Sequence, residues 1–125
     1  MDAATVTALI RQNLELSGSD PVRAHEMYRD DAVLEFPQSG ERFVGVANFR
    51  QWRSEYPADV AFDIREVRGA GDVWVVELEV RYDGGPVNHG ISIHEFRDGR
   101  IARETIYVAE GWEAPAWRAR WRDRP

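Results

Sequence analysis

The chain has 125 residues, 43% hydrophobic and 30% charged, a balance typical of one folded domain rather than of a disordered segment. Its net charge of −6 argues against nucleic-acid binding, because affinity for phosphate comes mostly from positive charge. It lacks cysteine, which excludes disulfides and thiolate chemistry, and it lacks an apolar run long enough to span a membrane, so we expect a soluble, cytoplasmic protein with no membrane partner.

Two helices are predicted at the start of the chain. Asp2 is a suitable N-cap for a first helix with apolar residues at helical spacing, which Gly18 ends. Asp20 followed by Pro21 is typical of the start of a second, short helix. His25 lies in this second helix, where contact with solvent is the more frequent situation for a histidine.

Short strands and a third helix follow. Residues 30–31 are predicted to close the second helix, and residues 32–36 to form a strand that ends before a proline. Residues 42–44 are predicted to form a brief strand. Apolar residues then recur at helical spacing over residues 46–56, and residues 60–64 alternate as a strand.

Three consecutive antiparallel strands are predicted next, and the rest of the chain is arranged around them. Residues 69–71 form the turn into the first of these strands, residues 73–83, in which apolar and mostly charged side chains alternate. Turns that contain glycine connect it to residues 87–96 and then to residues 101–109. The predicted outer face of the sheet carries Glu77, Glu79, Arg81 and Glu95.

The C-terminal segment combines tryptophan with arginine. Residues 115–122 predict a short terminal helix in which Trp117 and Trp121, four residues apart, share a face. The simplest interpretation is a helix whose tryptophans pack on the body of the protein or on a second subunit. A nucleic-acid-binding arm would have a similar composition, but the acidic body makes it the minor alternative.

The order of elements and three short motifs resemble the SnoaL-like branch of the nuclear-transport-factor-2-like (NTF2-like) superfamily. The motifs are residues 27–37, residues 43–45 before a helix, and residues 95–101 followed by Tyr107. The resemblance implies a single α+β domain over residues 1–125, in which a curved, mixed or antiparallel sheet forms a cone (a cystatin-like α+β barrel) around the N-terminal helices. It also implies an apolar pocket for a small hydrophobic molecule and a homodimer formed through the outer sheet face.

The catalytic residues of known members are not matched. The resemblance places the catalytic aspartate of ketosteroid-isomerase-like members at Phe36, and the acid of cyclases and limonene-epoxide-hydrolase-like members at Ile106. The Arg-x-Asp pair of the hydrolases falls on a strand whose apolar face carries Leu78, Val80 and Tyr82. The resemblance therefore supports none of these three catalytic solutions.

One histidine and one glutamate remain as candidate catalytic residues. If the register of the family holds, His94 and Glu104 face the cavity from neighbouring strands, where a carboxylate can fix the tautomer of an imidazole and support acid–base chemistry. This register requires a bulge at Gly99, because a plain two-residue turn would reverse the parity of the last strand. The predicted pocket wall consists of Tyr28, Phe36, Trp52, Trp74, Tyr82, Ser92 and Ile106.

The spacing of His25, His89 and His94 is not that of a metal site, and we expect no cofactor.

Two classes of function remain open. The first class is an enzyme that performs cyclase-, isomerase- or dehydratase-like acid–base chemistry on a hydrophobic or polyketide-like substrate. The second is a non-catalytic ligand-binding or protein-interaction module, in which the aromatic residues of the wall only fill the core. The unmatched family acids favour the second class.

Overall fold

The computed structural model describes residues 1–17 and 19–123, so the predicted helix end at Gly18 lies outside the described residues. Helices α1, α2 and α3 span Ala3–Leu16, Pro21–Ala24 and Val46–Ser54, and a 3₁₀ helix spans Ala116–Trp121. Strands β1 to β6 span Tyr28–Phe36, Glu41–Val44, Val60–Ala70, Val73–Tyr82, Asn88–Arg97 and Arg100–Glu110. None of the described helices is long and apolar enough to cross a membrane.

The six strands form one open, mixed sheet in the order β2-β1-β6-β5-β4-β3. Neighbouring strands are antiparallel except β1 and β6, which run parallel. The predicted α+β architecture and the three consecutive antiparallel strands are confirmed. Because β1 lies beside β6, residues from the first and last thirds of the chain meet on one face of the sheet.

The helices cover the inner face of this sheet. Asp2 caps α1, because its Oδ1 accepts a hydrogen bond from the backbone N–H of Thr5 at 2.8 Å. Asn13 ties α1 to α2 by donating to the carbonyl of Ala24 at 2.7 Å. The largest fully buried side chains are Phe49, Leu34, Ile101, Val6 and Val76, so the core lies between α1, α3 and the inner sheet face.

Two strands differ from the prediction by more than one residue. Strand β1 starts at Tyr28, and α2 ends at Ala24, so residues 30–31 belong to the strand and do not close the helix. Strand β3 continues through Ala70, beyond the predicted residues 60–64, because a bulge at Arg65 interrupts its alternation while its pairing with β4 continues. The predicted turn at residues 69–71 is correspondingly shorter.

The hairpin between β5 and β6 has a plain two-residue turn. Asp98 and Gly99 both have positive φ, at 55° and 78°, as a type I′ turn requires. Phe96 is then paired with Ile101. If β6 continued from there without irregularity, its odd-numbered residues would face inward and Glu104 would face outward. The prediction of a bulge at Gly99 is therefore wrong.

A bulge three residues further along restores the parity of β6. Ala102 has no cross-strand partner, and pairing resumes between Glu95 and Arg103. Its effect is that Glu104 is paired directly with His94. The predicted register of His94 and Glu104 is therefore present, but its local cause differs. The Asp98-Gly99 turn is regular, and the extra residue is Ala102 within β6.

The outer sheet face combines ion pairs with exposed apolar side chains. Arg65 and Glu79 lie 3.4 Å apart, and Arg103 and Glu35 lie 2.7 Å apart. Exposed apolar residues of this face include Val44, at 57% exposed, and Val73, Ile91 and Tyr107, each between 41% and 49% exposed. The predicted homodimer through this face stays a prediction.

The C-terminal tryptophans do not pack on the body. Trp117 and Trp121 are 73% and 65% exposed, so this part of the prediction is wrong. The predicted shared face fails because a 3₁₀ helix has three residues per turn, which separates positions four apart. Instead, the guanidinium of Arg118 lies 6.0 Å from the ring centre of Trp117, and that of Arg120 lies 4.0 Å from the ring centre of Trp121.

Gly69 has no side chain, and this lets Trp74 pack directly against β3. A Cβ at this position would lie 2.9 Å from the indole and 2.2 Å from the carbonyl oxygen of Val73. We expect Gly69→Ala to lower the free energy of unfolding by about 2 kcal/mol or more, measured by urea denaturation. Gly40→Ala is the control, since a Cβ there meets nothing within 4 Å and only the left-handed backbone, at about 1 kcal/mol, is penalised. Equal losses in both variants would contradict the close approach.

Candidate functional site

Neighbouring strands bring His94 and Glu104 together on the inner face of the sheet. The two residues are direct cross-strand partners on β5 and β6, and His94 Nε2 lies 3.6 Å from Glu104 Oε2. Both side chains are almost completely buried, with 2% and 5% of the residue exposed. The structure therefore places the two predicted catalytic residues side by side, and their role in catalysis stays a prediction.

The Glu104 carboxylate is surrounded by donors from other elements. The Tyr28 hydroxyl of β1 donates a hydrogen bond to Oε1, and the Ser92 hydroxyl of β5 donates to Oε2 at 2.7 Å. Arg53 of α3 places its guanidinium 3.8 Å from Oε1. A buried carboxylate is tolerated only when its charge and lone pairs are compensated in this way.

Arg53 is the site residue that sequence reasoning missed. Its Nη1 donates a hydrogen bond to the Tyr28 hydroxyl oxygen at 3.2 Å, and its guanidinium lies 5.3 Å from the ring centre of Phe49. A signal was present, because Arg53 follows Phe49 by four residues and so lies on the buried face of α3. A charged residue on the apolar face of a helix indicates a buried partner.

His25 is buried, so the predicted contact with solvent is wrong. The structure ends α2 at Ala24, which turns the imidazole of His25 inward until it stacks on the Tyr28 ring at 5.5 Å. Its Nδ1 donates to the carbonyl of Pro21 at 2.7 Å, and its Nε2 lies 3.1 Å from Arg53 Nη1, from which it accepts. Both ring nitrogens are thus satisfied in the neutral form.

Burial and the neighbouring charges set the protonation states of this cluster. Burial, with Arg53 nearby, lowers the pKa of His25 to about 4, and burial also lowers the pKa of His94. Burial alone would raise the pKa of Glu104, but nearby positive charge and its hydrogen bonds outweigh burial and lower it. Burial raises the pKa of Tyr28. At neutral pH the cluster therefore holds one carboxylate, one guanidinium, neutral histidines and a protonated tyrosine.

Two buried side-chain nitrogens have no hydrogen-bond partner among the described residues: His94 Nδ1 and Trp52 Nε1. The carboxylate of Glu104 beside Nε2 favours the tautomer with its proton on that nitrogen, which leaves a lone pair on Nδ1. The indole N–H of Trp52 can only donate. The site thus offers one acceptor and one donor that the chain itself does not use, and buried polar atoms of this kind are uncommon.

Three of the predicted wall residues lie close to this cluster. Ile106 is paired with Ser92, one step along the inner face from Glu104. Phe36 is on β1, and its ring centre lies 5.9 Å from that of Trp52. Ile106, Phe36 and Trp52 are only partly buried, which distinguishes them from the closed core.

Two other predicted wall residues have different surroundings. Trp74 is 4% exposed and donates its indole N–H to the carbonyl of Gly71 at 2.9 Å, so its polar atom is already satisfied. Tyr82 lies at the other end of β4, where its ring centre is 6.2 Å from that of Tyr56. The structure does not bring Tyr82 next to His94, which is paired with Trp74.

A cleft of about 380 Å³ borders this cluster at His25 and Tyr28. Its lining residues are Val22, His25, Glu26, Tyr28, Asp30, Val46, Arg50 and Arg100. His94 does not line it. Within the described part of the chain, no group of three or more His, Asp or Glu side chains could hold a metal ion.

Solved structures of other proteins show that the chain has the NTF2-like α+β cone fold. An NTF2-like protein of unknown function from Burkholderia xenovorans LB400 is 33% identical, with a TM-score of 0.87 over 98% of this chain and 96% of that chain. The family follows from the sequence. A family model of the SnoaL-like domain matches residues 6–104, and the chain belongs to this family.

Two further structures share the fold at lower identity. A putative ketosteroid isomerase from Kribbella flavida is 24% identical, with a TM-score of 0.83 over 99% of this chain and 92% of that chain. A putative polyketide cyclase from Sinorhizobium meliloti is 22% identical, with a TM-score of 0.70 over 86% of this chain and 100% of that chain. A search of curated proteins gives no significant match. These likenesses establish the fold and leave the chemistry to the site.

The charge of Glu104 generates a second prediction. Glu104→Gln keeps the shape of the side chain but leaves the Arg53 guanidinium without its buried counter-charge, so we expect a loss of about 3 kcal/mol in the free energy of unfolding at pH 7. Urea denaturation measures it. Glu35→Gln is the matched control, since Glu35 is paired with Arg103 on the outer face and its loss should cost about 1 kcal/mol or less. Equal costs would show that the buried charge is not what matters.

The lowered pKa of His25 generates a third prediction. Its folded pKa of about 4 lies below the ordinary 6.5, so the unfolded chain binds more protons between these values and stability falls as pH decreases from about 6.5 to 4. His94 acts in the same direction. We expect His25→Gln to reduce this loss by up to about 3 kcal/mol, measured by urea denaturation between pH 8 and 4. A slope in His25→Gln equal to that of the unmodified chain would contradict the assignment.

Proposed function

We propose that the chain binds a small, uncharged, mostly apolar molecule on the inner face of its sheet, and that His94 exchanges a proton with it. The observation that carries this proposal is the Nδ1 atom of His94, which is buried and unpartnered while the Glu104 carboxylate lies beside the opposite nitrogen. A carboxylate in this position orients an imidazole and stabilises its cation. The pair is thus suited to general acid–base catalysis.

The two residues take different roles in this proposal. Glu104 is a poor base, because both of its oxygens accept hydrogen bonds and its pKa is lowered. His94 is neutral at pH 7 because its pKa is lowered, so its Nδ1 lone pair is available to accept a proton. The proton taken by Nδ1 can be returned to another atom of the same molecule, and no cofactor is needed for such a transfer.

The charge and lining of the site support an uncharged ligand. Arg53 and Glu104 already compensate each other, so a charged ligand would be buried without a counter-charge. The partly buried Phe36, Trp52 and Ile106 would supply an apolar wall beside the polar cluster. The free N–H of Trp52 favours a ligand that carries a carbonyl or hydroxyl oxygen. A hydrophobic or polyketide-like ketone has these properties, and the reaction would resemble that of a cyclase, isomerase or dehydratase.

The second candidate function is ligand binding without catalysis. It is favoured by Phe36 and Ile106, which stand where the catalytic acids of isomerase-like and cyclase-like relatives are expected. In this version, His94 and Trp52 only hold the polar atoms of the ligand. The two candidates agree on the ligand class and differ on whether a proton is transferred.

Deuterium exchange distinguishes the two candidates and gives a fourth prediction. We expect uncharged polycyclic ketones to bind, and protons on the carbon next to their carbonyl to exchange in D₂O, followed by NMR. His94→Gln should slow this exchange about 100-fold, because it removes the base. Its effect on the dissociation constant should be less than about tenfold, the loss of one hydrogen bond.

The control for this experiment is His89→Gln, which changes a histidine on the same strand that is exposed. Binding without any exchange would favour the non-catalytic candidate. Exchange that is unaffected by His94→Gln would remove His94 from the mechanism, and a failure of all uncharged ketones to bind would count against the ligand class.

A further inference from the structure

The segment that follows β6, residues 111–123, exposes three tryptophans. We call it the C-terminal arm. Trp112, Trp117 and Trp121 are 80%, 73% and 65% exposed, whereas the two other tryptophans of the chain are buried or half-buried. Three tryptophans so exposed within one short segment are uncommon, and large exposed apolar side chains that lie near one another in the chain point to an interaction surface.

The charge of the C-terminal arm is opposite to that of the rest of the chain. Residues 111–123 contain three arginines and two acidic residues, while the whole chain has a net charge of −6. Arg118 and Arg120 lie over the rings of Trp117 and Trp121, which forms a cationic, aromatic surface. A complementary partner surface would combine carboxylates with aromatic rings.

The chain itself carries such a surface at the loop that joins α3 to β3 and at the end of β4. We call it the acidic rim, formed by Glu55, Tyr56, Asp59, Phe62 and Asp83. Tyr56 and Phe62 are 44% and 39% exposed. Among the ion pairs of the described residues, none involves Glu55, Asp59 or Asp83.

The acidic rim is held in a fixed shape by hydrogen bonds between its two loops. The backbone N–H of Asp83 donates to the carbonyl of Asp59 at 2.7 Å, and the backbone N–H of Asp59 donates to Asp83 Oδ1 at 2.9 Å. The ring of Tyr56 also contacts that of Tyr82. A surface that is ordered before binding loses little entropy when a partner arrives.

We propose that the C-terminal arm of one copy of the chain binds the acidic rim of a second copy. The arm does not use the rim of its own chain, since its tryptophans remain exposed there. A second copy offers the same rim, and reciprocal exchange of two arms forms a closed, two-fold symmetric dimer. An anionic membrane or nucleic acid fits less well, because the acidic body would be repelled from it.

Disulfide trapping tests this proposal directly, because the chain has no cysteine of its own. The full chain is prepared as Ala119→Cys, in the arm, and as Ser54→Cys, next to Glu55 of the rim; both positions are exposed. When the two variants are mixed, we expect the mixed disulfide dimer to form at least about tenfold faster than with Ala70→Cys, an exposed control at the opposite end of β3.

Charge exchange provides a second, independent test. Arg118→Glu with Arg120→Glu in the Ala119→Cys chain should remove the rate advantage, and Glu55→Arg with Asp59→Arg in the Ser54→Cys chain should restore it. Equal trapping rates for Ser54→Cys and Ala70→Cys would overturn the proposal. So would an intrachain disulfide in monomers of a chain that carries both cysteines, because the arm would then bind its own rim.

Discussion

The buried charge of Glu104 is the constraint on which the rest of this structure depends. A carboxylate on the inner face of a sheet must be matched by donors and by positive charge, and here these come from β1, β5 and α3. The position of α3 over the sheet is therefore set by Arg53 as well as by apolar contact. The same compensation also lowers the pKa of Glu104, which leaves the neighbouring His94 as the group able to exchange a proton.

The bulge at Ala102 connects this site to the shape of the sheet. Both Ile101 and Glu104 face inward, which a strict two-residue alternation does not allow, and the extra residue between them resolves the conflict. A second bulge, at Arg65, does the same for the inward residues of β3. Bulges also increase local twist and bending. The bulge at Ala102 thus bends the sheet and also turns the Glu104 carboxylate toward the inner face.

Much of the fold was readable from the sequence, because helix caps, turn residues and alternation are local signals. The pairing of His94 with Glu104 was also predicted, although by a bulge at the wrong residue. Nothing local marks Ala102, since a bulge is fixed by the pairing of the whole strand. The burial of His25 depends on Arg53, which lies 28 residues later in the chain. Contacts of this kind are set by the tertiary structure. The one local signal for them is the position of Arg53 on the apolar face of α3.

The parallel pairing of β1 with β6 has a consequence for how the chain acquires its structure. A hairpin can form as soon as its second strand exists, whereas β1 meets its inner neighbour only when the last strand has been made. Until then, Tyr28 and Leu34 lack the partners that bury them. The N-terminal half of a nascent chain should consequently lack stable tertiary structure during synthesis. Folding should be completed in one late, cooperative step that depends on contacts between residues distant in sequence.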